Sequence, residues 1–169
     1  MAQWPLQSQC DGFYGNPRAK GGGSMSPAWR NANIALAPVP QGWGMHMASA
    51  PVTKIECHKR CLTALENWLL AVWNNAGKDP EKLKYWGMDI FSGSLVFRAM
   101  RTDHTKLSMH SYGCAFDFDA PDNAQGNSTG KMSHFISQIV TPFEDLGGVW
   151  GGRWQSGTDD MHFQFARVG

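Results

Sequence analysis

Between Thr53 and about Ala76, apolar residues Ile55, Leu62, Leu65, Trp68, Leu69, Val72 and Trp73 recur at three- and four-residue steps, with Glu56, Lys59, Arg60 and Glu66 between them. That spacing lays an apolar stripe along one side of a helix, and the stripe has to be buried against other elements. Thr53 reads as the cap of this helix, and Gly77 followed by Asp79-Pro80 as its stop. Cys57 and Cys61 share one of its faces, with His58 between them at the surface.

The 52 residues before the helix are punctuated by Gly21-Gly22-Gly23-Ser24, Pro38, Pro40 and Pro51 and predict extended or looping chain with little regular helix. Trp4, Phe13, Tyr14, Trp29, Ile34, Leu36 and Trp43 give this stretch enough apolar surface to wrap against a core. After the helix, Pro80–Tyr85 reads as a short helix or loop, and Ile90-Phe91 and Ser94–Arg101 as short strands. Tyr112–Asp119 alternates Cys114, Phe116 and Phe118 against Ala115, Asp117 and Asp119, the period of a strand, which would put Asp117 and Asp119 on one face. A polar loop runs to Lys131, and a helix from about Ser133 to Leu146 follows, kinked or shortened by Pro142 and closed by Gly147-Gly148. Val149-Trp150 and Met161–Val168 complete the strands, the second with Phe163 and Phe165 on one face. This order predicts an α+β fold, a small antiparallel sheet flanked by helices, in a single domain spanning 1–169.

Composition removes several classes of function. With 42% hydrophobic and 17% charged residues the chain lacks the signature of disorder. A formal net charge of +1 supplies no field to hold a polyanion, so nucleic acid is not an expected partner. The four cysteines form no Cys-x-x-Cys pair and read as reduced, partly buried thiols. The amino-terminal residues lack the basic start and apolar run of a signal peptide, and the longest apolar stretch, Trp68–Trp73, falls far short of the roughly 20 residues that span a bilayer. The expectation is a chain made in a cytoplasm, without stable membrane insertion.

Chemistry concentrates in two places. His110-Ser111-Tyr112-Gly113-Cys114-Ala115-Phe116-Asp117 sets an imidazole at a strand entrance and a carboxylate one strand later. Asp159-Asp160-Met161-His162 supplies a second imidazole after two more carboxylates. A catalytic zinc takes three such protein ligands and leaves a fourth position for water. His46, His58, His104 and His134 lack this context and read as ordinary surface or core histidines. Asp119 and Asp122 read as strand-end and turn carboxylates.

Ser108, His110, Gly113, Ala115 and Asp117, followed by Asp159 and His162, fill every fixed position of the pattern Ser-x-His-x-x-Gly-x-Ala-x-Asp then Asp/Glu-x-x-His. In this the chain resembles the zinc D,D- and L,D-peptidases of the VanY and D-alanyl-D-alanine carboxypeptidase type, peptidase family M15. The words Gly151-Gly152-Arg153-Trp154 and His162-Phe163-Gln164 are similar to the branch of bacteriophage endolysins that split L-alanyl-D-glutamate bonds. The likeness covers about Phe97 to Phe165.

The resemblance implies a Hedgehog/DD-peptidase-like site with one catalytic Zn2+ held by His110, Asp117 and His162. It implies Asp159 as general base and Arg98 as the group steadying substrate or oxyanion, with Asp160 and Arg101 as rivals for those two roles. Ser108, Arg101 and Trp150 are expected around the substrate, and Trp150 and Trp154 as walls of the cleft. The expected arrangement is an irregular wrap over 1–52 on a catalytic core over 53–169. The implied protein is a monomeric peptidase of peptidoglycan stem peptides that reaches the cell wall after release from the cytoplasm. A D-alanyl-D-alanine carboxypeptidase and a non-catalytic zinc-binding module are the alternatives.

Overall fold

The computed structural model describes residues 3–127 and 129–169. Its first difference from the sequence reading lies at the head of the long helix. Residues 54–58 form a strand, β4 (Lys54–His58), antiparallel to β1 (Ile34–Pro38), with Ile34 opposite His58 and Pro38 opposite Lys54. Ile55 and Cys57 are buried at two-residue spacing, and this period-2 signal prevails over the helical steps that begin only at Leu62. Thr53 therefore caps nothing. A 3-10 turn, Lys59–Cys61, leads into the helix α3 (Leu62–Asn75), which buries Leu65, Trp68, Leu69, Val72 and Trp73. Gly77 ends that run with φ of 64°, while the Asp79 side chain accepts from the Glu81 amide and caps a further helix, α4 (Pro80–Trp86).

Four short strands, β5 (Phe91–Gly93), β6 (Ala115–Phe118), β7 (Val149–Trp150) and β8 (His162–Gln164), form an antiparallel sheet in the order β5-β6-β8-β7. Mixed helix and small antiparallel sheets fit the α+β expectation. One face of the sheet meets α3: the Trp68 ring packs on Phe163 at 4.8 Å and Phe118 at 5.6 Å, and also on Phe143, outside the sheet, at 4.7 Å. Since strand side chains alternate, the other face receives Asp117 from β6 and His162 and Gln164 from β8. Asp117 stands opposite His162 in the register, and Ala115 opposite Gln164.

Two expected strands are shorter or absent. Ser94–Arg101 joins no sheet; it is extended chain held to the loop after it by bonds such as Ser108 N–H to the Arg98 carbonyl at 2.9 Å and Val96 N–H to the His110 carbonyl at 3.3 Å. The last strand is only His162–Gln164. Asp119 does not share the Asp117 face, because its φ of 51° turns the chain off the strand and leaves its carboxylate buried 3.9 Å from Lys131 Nζ.

The expected helix over 133–146 is broken into a 3-10 turn (Lys131–His134), a π turn (Ile136–Val140) and a short helix, α5 (Thr141–Asp145). Pro142 offers no N–H to the carbonyl four residues earlier. That carbonyl, on Gln138, accepts instead from Asn75 Nδ2 at 2.9 Å, and the next, on Ile139, from Trp68 Nε1 at 2.9 Å.

The amino-terminal stretch holds more regular structure than its composition predicts, with helices α1 (Cys10–Tyr14) and α2 (Pro27–Asn33) and the small pair β2 (His46–Met47) and β3 (Ala50–Pro51). Trp4, Tyr14 and Trp43 join the core, whereas Leu36, also expected to wrap against it, is exposed. Trp4 packs on Phe165 at 4.5 Å, the Tyr14 hydroxyl donates to the Phe165 carbonyl at 2.7 Å, and Trp43 stacks on Trp73 at 6.0 Å. The four cysteines are free and buried. Among the described residues, no helix is long and apolar enough to cross a membrane.

Candidate metal centre

The site is built from one turn and two paired strands. Ser108 caps a 3-10 turn, Met109–Tyr112, by accepting from the His110 amide, and Gly113 ends the turn at φ of 70°. A Cβ at Gly113 would stand 2.9 Å from the His58 amide nitrogen and from Ile34, so glycine is needed both for the conformation and for the approach. The turn delivers His110 beside Asp117, and the β6–β8 register delivers His162 to the other side of the same carboxylate. His110 Nε2 lies 3.1 Å from Asp117 Oδ2, and His162 Nδ1 lies 3.0 Å from Asp117 Oδ1. All three residues offer ligand atoms within 4.8 Å of one another.

The hydrogen bonding says what those atoms present. His110 Nδ1 is 2.8 Å from the Ser94 carbonyl oxygen, which can only accept, so the ring proton sits on Nδ1. Nε2 is left with a lone pair, buried, facing a carboxylate oxygen without a hydrogen bond. Two acceptors held face to face at 3.1 Å are stabilised by a cation, a metal ion or a proton, shared between them. Ligand atoms sharing a tetrahedral zinc at about 2.0–2.1 Å stand roughly 3.3 Å apart, close to the separations found here. Two imidazoles and one carboxylate are also a donor set that zinc accepts. The residues fit the ion.

Burial by itself would push the Asp117 carboxyl up, yet the imidazoles of His110 and His162 beside it hold it well below the usual carboxylate range. Burial would lower His162, and Asp117 outweighs it to raise the ring above its ordinary value. Asp159 is raised, chiefly by burial, with the Asp117 charge adding to it and His162, His110 and Arg101 opposing.

A cleft of about 760 Å³ opens over Asp117, His162 and Asp159. Asp159, Arg98, Arg101 and Ser108 line it with Asp117 and His162. Asp159 Oδ1 is buried without a hydrogen-bond partner among the described residues. A Cβ at Gly151 would come within 2.4 Å of the Asp159 carbonyl oxygen, so that glycine lets the Asp159 backbone close on the turn before it. Asp160 points elsewhere, its carboxylate beside Gly130 and Asn123. Arg98 is held by its backbone N–H to Ser111 Oγ at 3.0 Å, whereas Arg101 is exposed at the rim.

Trp150, expected at the cleft, lies in the core with its Nε1 donating to the Asp160 carbonyl at 2.8 Å and its ring stacked on Phe163 at 6.5 Å. After the 3-10 turn Gly151–Arg153, Trp154, the other residue expected as a wall, does line the cleft, its ring 5.4 Å from His162. Sequence reasoning missed Ser94 and Gln164 as partners of the two histidines. Nothing local marks Ser94; Gln164, two residues beyond His162 on a strand, could have been found from the period.

A family model described as D-alanyl-D-alanine carboxypeptidase matches residues 102–165, a span that contains His110, Asp117, Asp159 and His162. The match supports peptidase family M15 and a hydrolase of the peptidase or carboxypeptidase kind. No curated protein and no solved structure gives a significant match.

Proposed function

We propose that this protein is a zinc metallopeptidase that hydrolyses a peptide bond in peptidoglycan stem peptides, with His110, Asp117 and His162 as the ligands. The observation that carries the reading is the convergence of two imidazoles on one carboxylate, with His110 Nε2 orphaned and Asp159 on the same cleft. Zinc held there would supply a Lewis acid and an acidified water for attack on a carbonyl. Asp159, with a carboxyl raised by burial, takes the proton from the attacking water and returns it to the leaving amine. Arg98 and Arg101 offer guanidinium donors to the negative charge developing on the carbonyl oxygen or to a carboxylate of the stem peptide. Trp154 limits water access beside His162.

Within this chemistry the reading favoured is an endopeptidase of the L-alanyl-D-glutamate kind, a phage endolysin made in the host cytoplasm and acting at the wall as a monomer. It rests on the Gly151–Trp154 and His162–Gln164 words. The description of the matching family model favours a second reading, removal of a terminal D-alanine. Mass analysis of purified peptidoglycan after digestion separates them. Stem peptides freed from the sugar at the L-alanine support the endopeptidase, and loss of a single alanine supports the carboxypeptidase. An intact wall under zinc-loaded conditions contradicts both and favours a binding module.

A further inference from the structure

His162 faces a choice that His110 does not. Both of its ring nitrogens meet side chains: Nδ1 lies 3.0 Å from Asp117 Oδ1, and Nε2 lies 2.8 Å from Gln164 Oε1. A proton on Nδ1 would bond to the carboxylate and occupy the lone pair that an ion needs. An amide could meet the ring with either end, since its nitrogen donates and its oxygen accepts. The second contact of Gln164 decides between them. Gln164 Nε2 is 2.7 Å from the Ala166 carbonyl oxygen, which only accepts, so the nitrogen must turn to Ala166 and the oxygen to His162. The oxygen then requires a proton on His162 Nε2.

We infer that Gln164 is a positioning residue that fixes the protonation pattern of His162, passing the polarity of the Ala166 carbonyl through its amide to the ring and leaving Nδ1 as the metal-facing lone pair. Three features make the lock firm. Gln164 is 1% exposed, so water does not compete for its amide. His162 and Gln164 are two apart on β8 and share its cleft face, so the contact follows from the strand itself. Gln7, from the amino-terminal stretch, lies with its side-chain amide 3.5 Å from Oε1 and can donate to the oxygen so placed. Outer partners of this kind orient a metal-binding imidazole and raise its basicity. Here the partner also prevents an internal His162–Asp117 hydrogen bond from closing the site.

The inference rests on the metal reading above, and its test is zinc affinity by chelator competition, without substrate. Gln164→Leu and Gln164→Glu both lose donation to the Ala166 carbonyl; only Gln164→Glu keeps an acceptor for His162 Nε2–H. Gln164→Leu is expected to weaken zinc binding about 10–100-fold, with Gln164→Glu staying near wild type and both variants folded by circular dichroism. Wild-type affinity in folded Gln164→Leu, or equal weakening in the two variants, overturns the role of Gln164. If Gln164→Leu fails to fold, nitrogen-15 correlation spectra of zinc-loaded wild type decide. A ring protonated at Nε2 is expected for His162, and one protonated at Nδ1 overturns the inference. A wild type that binds no zinc would instead remove the proposed function itself.

Discussion

His58 and His110 occupy two regions of the molecule that look alike until the second ring nitrogen is followed. Both rings are buried, at 1% and 2% exposure, and each gives one nitrogen to a backbone carbonyl: His58 Nε2 to Tyr14 at 2.9 Å, His110 Nδ1 to Ser94 at 2.8 Å. His58 Nδ1 then accepts from the Arg60 amide at 3.1 Å, and aromatic rings of Tyr14 and Trp29 enclose it. His110 Nε2 meets only Asp117, with His162 at 5.1 Å beyond. One histidine has satisfied both nitrogens and holds two segments of the fold together. The other ends in a lone pair aimed at a carboxylate. Burial and a backbone bond do not mark a ligand; the unsatisfied second nitrogen does.

The largest effect that could break this comparison belongs to His110→Ala. Zinc binding and peptidase activity should fall by more than the roughly 100-fold that loss of an outer partner costs. Zinc content after gel filtration and peptide release from peptidoglycan read the two quantities, and a folded variant with normal zinc would erase the distinction. His58→Ala should do the opposite, keeping zinc and activity per folded molecule while losing about 3 kcal/mol of stability, from lost packing and an unpaired Tyr14 carbonyl. Urea unfolding measures that loss, and a fully stable variant would contradict the structural role.

A smaller effect should appear with pH. Burial chiefly lowers His58 from 6.5 to about 4, with Lys59 and Arg60 acting the same way and the bond to the Tyr14 carbonyl opposing. Its lowered value contributes stability that is fully present above 6.5 and lost as pH falls toward 4, on the order of 2 kcal/mol. Unfolding curves between pH 7 and 4.5 should show that loss in wild type and a shallower one in His58→Gln; parallel slopes would refute it. Smallest of all, Asp160→Asn should leave activity within about twofold, as an acidic group turned away from the cleft. A large loss of activity in that variant, with the fold intact, would move the base from Asp159 to Asp160.

The same contrast explains what the sequence could and could not reveal. The Ser108–Asp117 and Asp159–His162 words were legible because each spacing has one geometric consequence: a turn ending at Gly113, then two strands in register, bring His110, Asp117 and His162 together. His58 was misread as surface because apolar steps over 55–73 hid a switch of period at Cys61, strand before it and helix after it. The long helix around Phe143 was legible as an apolar segment, but its division into 3-10, π and α turns depends on Pro142 and on side chains of α3 distant in sequence. Of the two tryptophans expected at the cleft, Trp154 lines it and Trp150 is buried in the core, a separation set by the turn at Gly151–Arg153 that no periodicity encodes. Ser94 lies sixteen residues before His110 and meets it only through the tertiary fold.

In the proposed function, Asp159 acts on a peptide bond beside an ion held by His110, Asp117 and His162. Release of peptide fragments from purified peptidoglycan by wild type and Asp159→Ala, with zinc measured in both, tests it most directly. Activity lost by about 10²–10⁴-fold while one zinc is retained is the predicted result. Equal activity in the two proteins, or a wild type that carries zinc and leaves the wall intact, would contradict it.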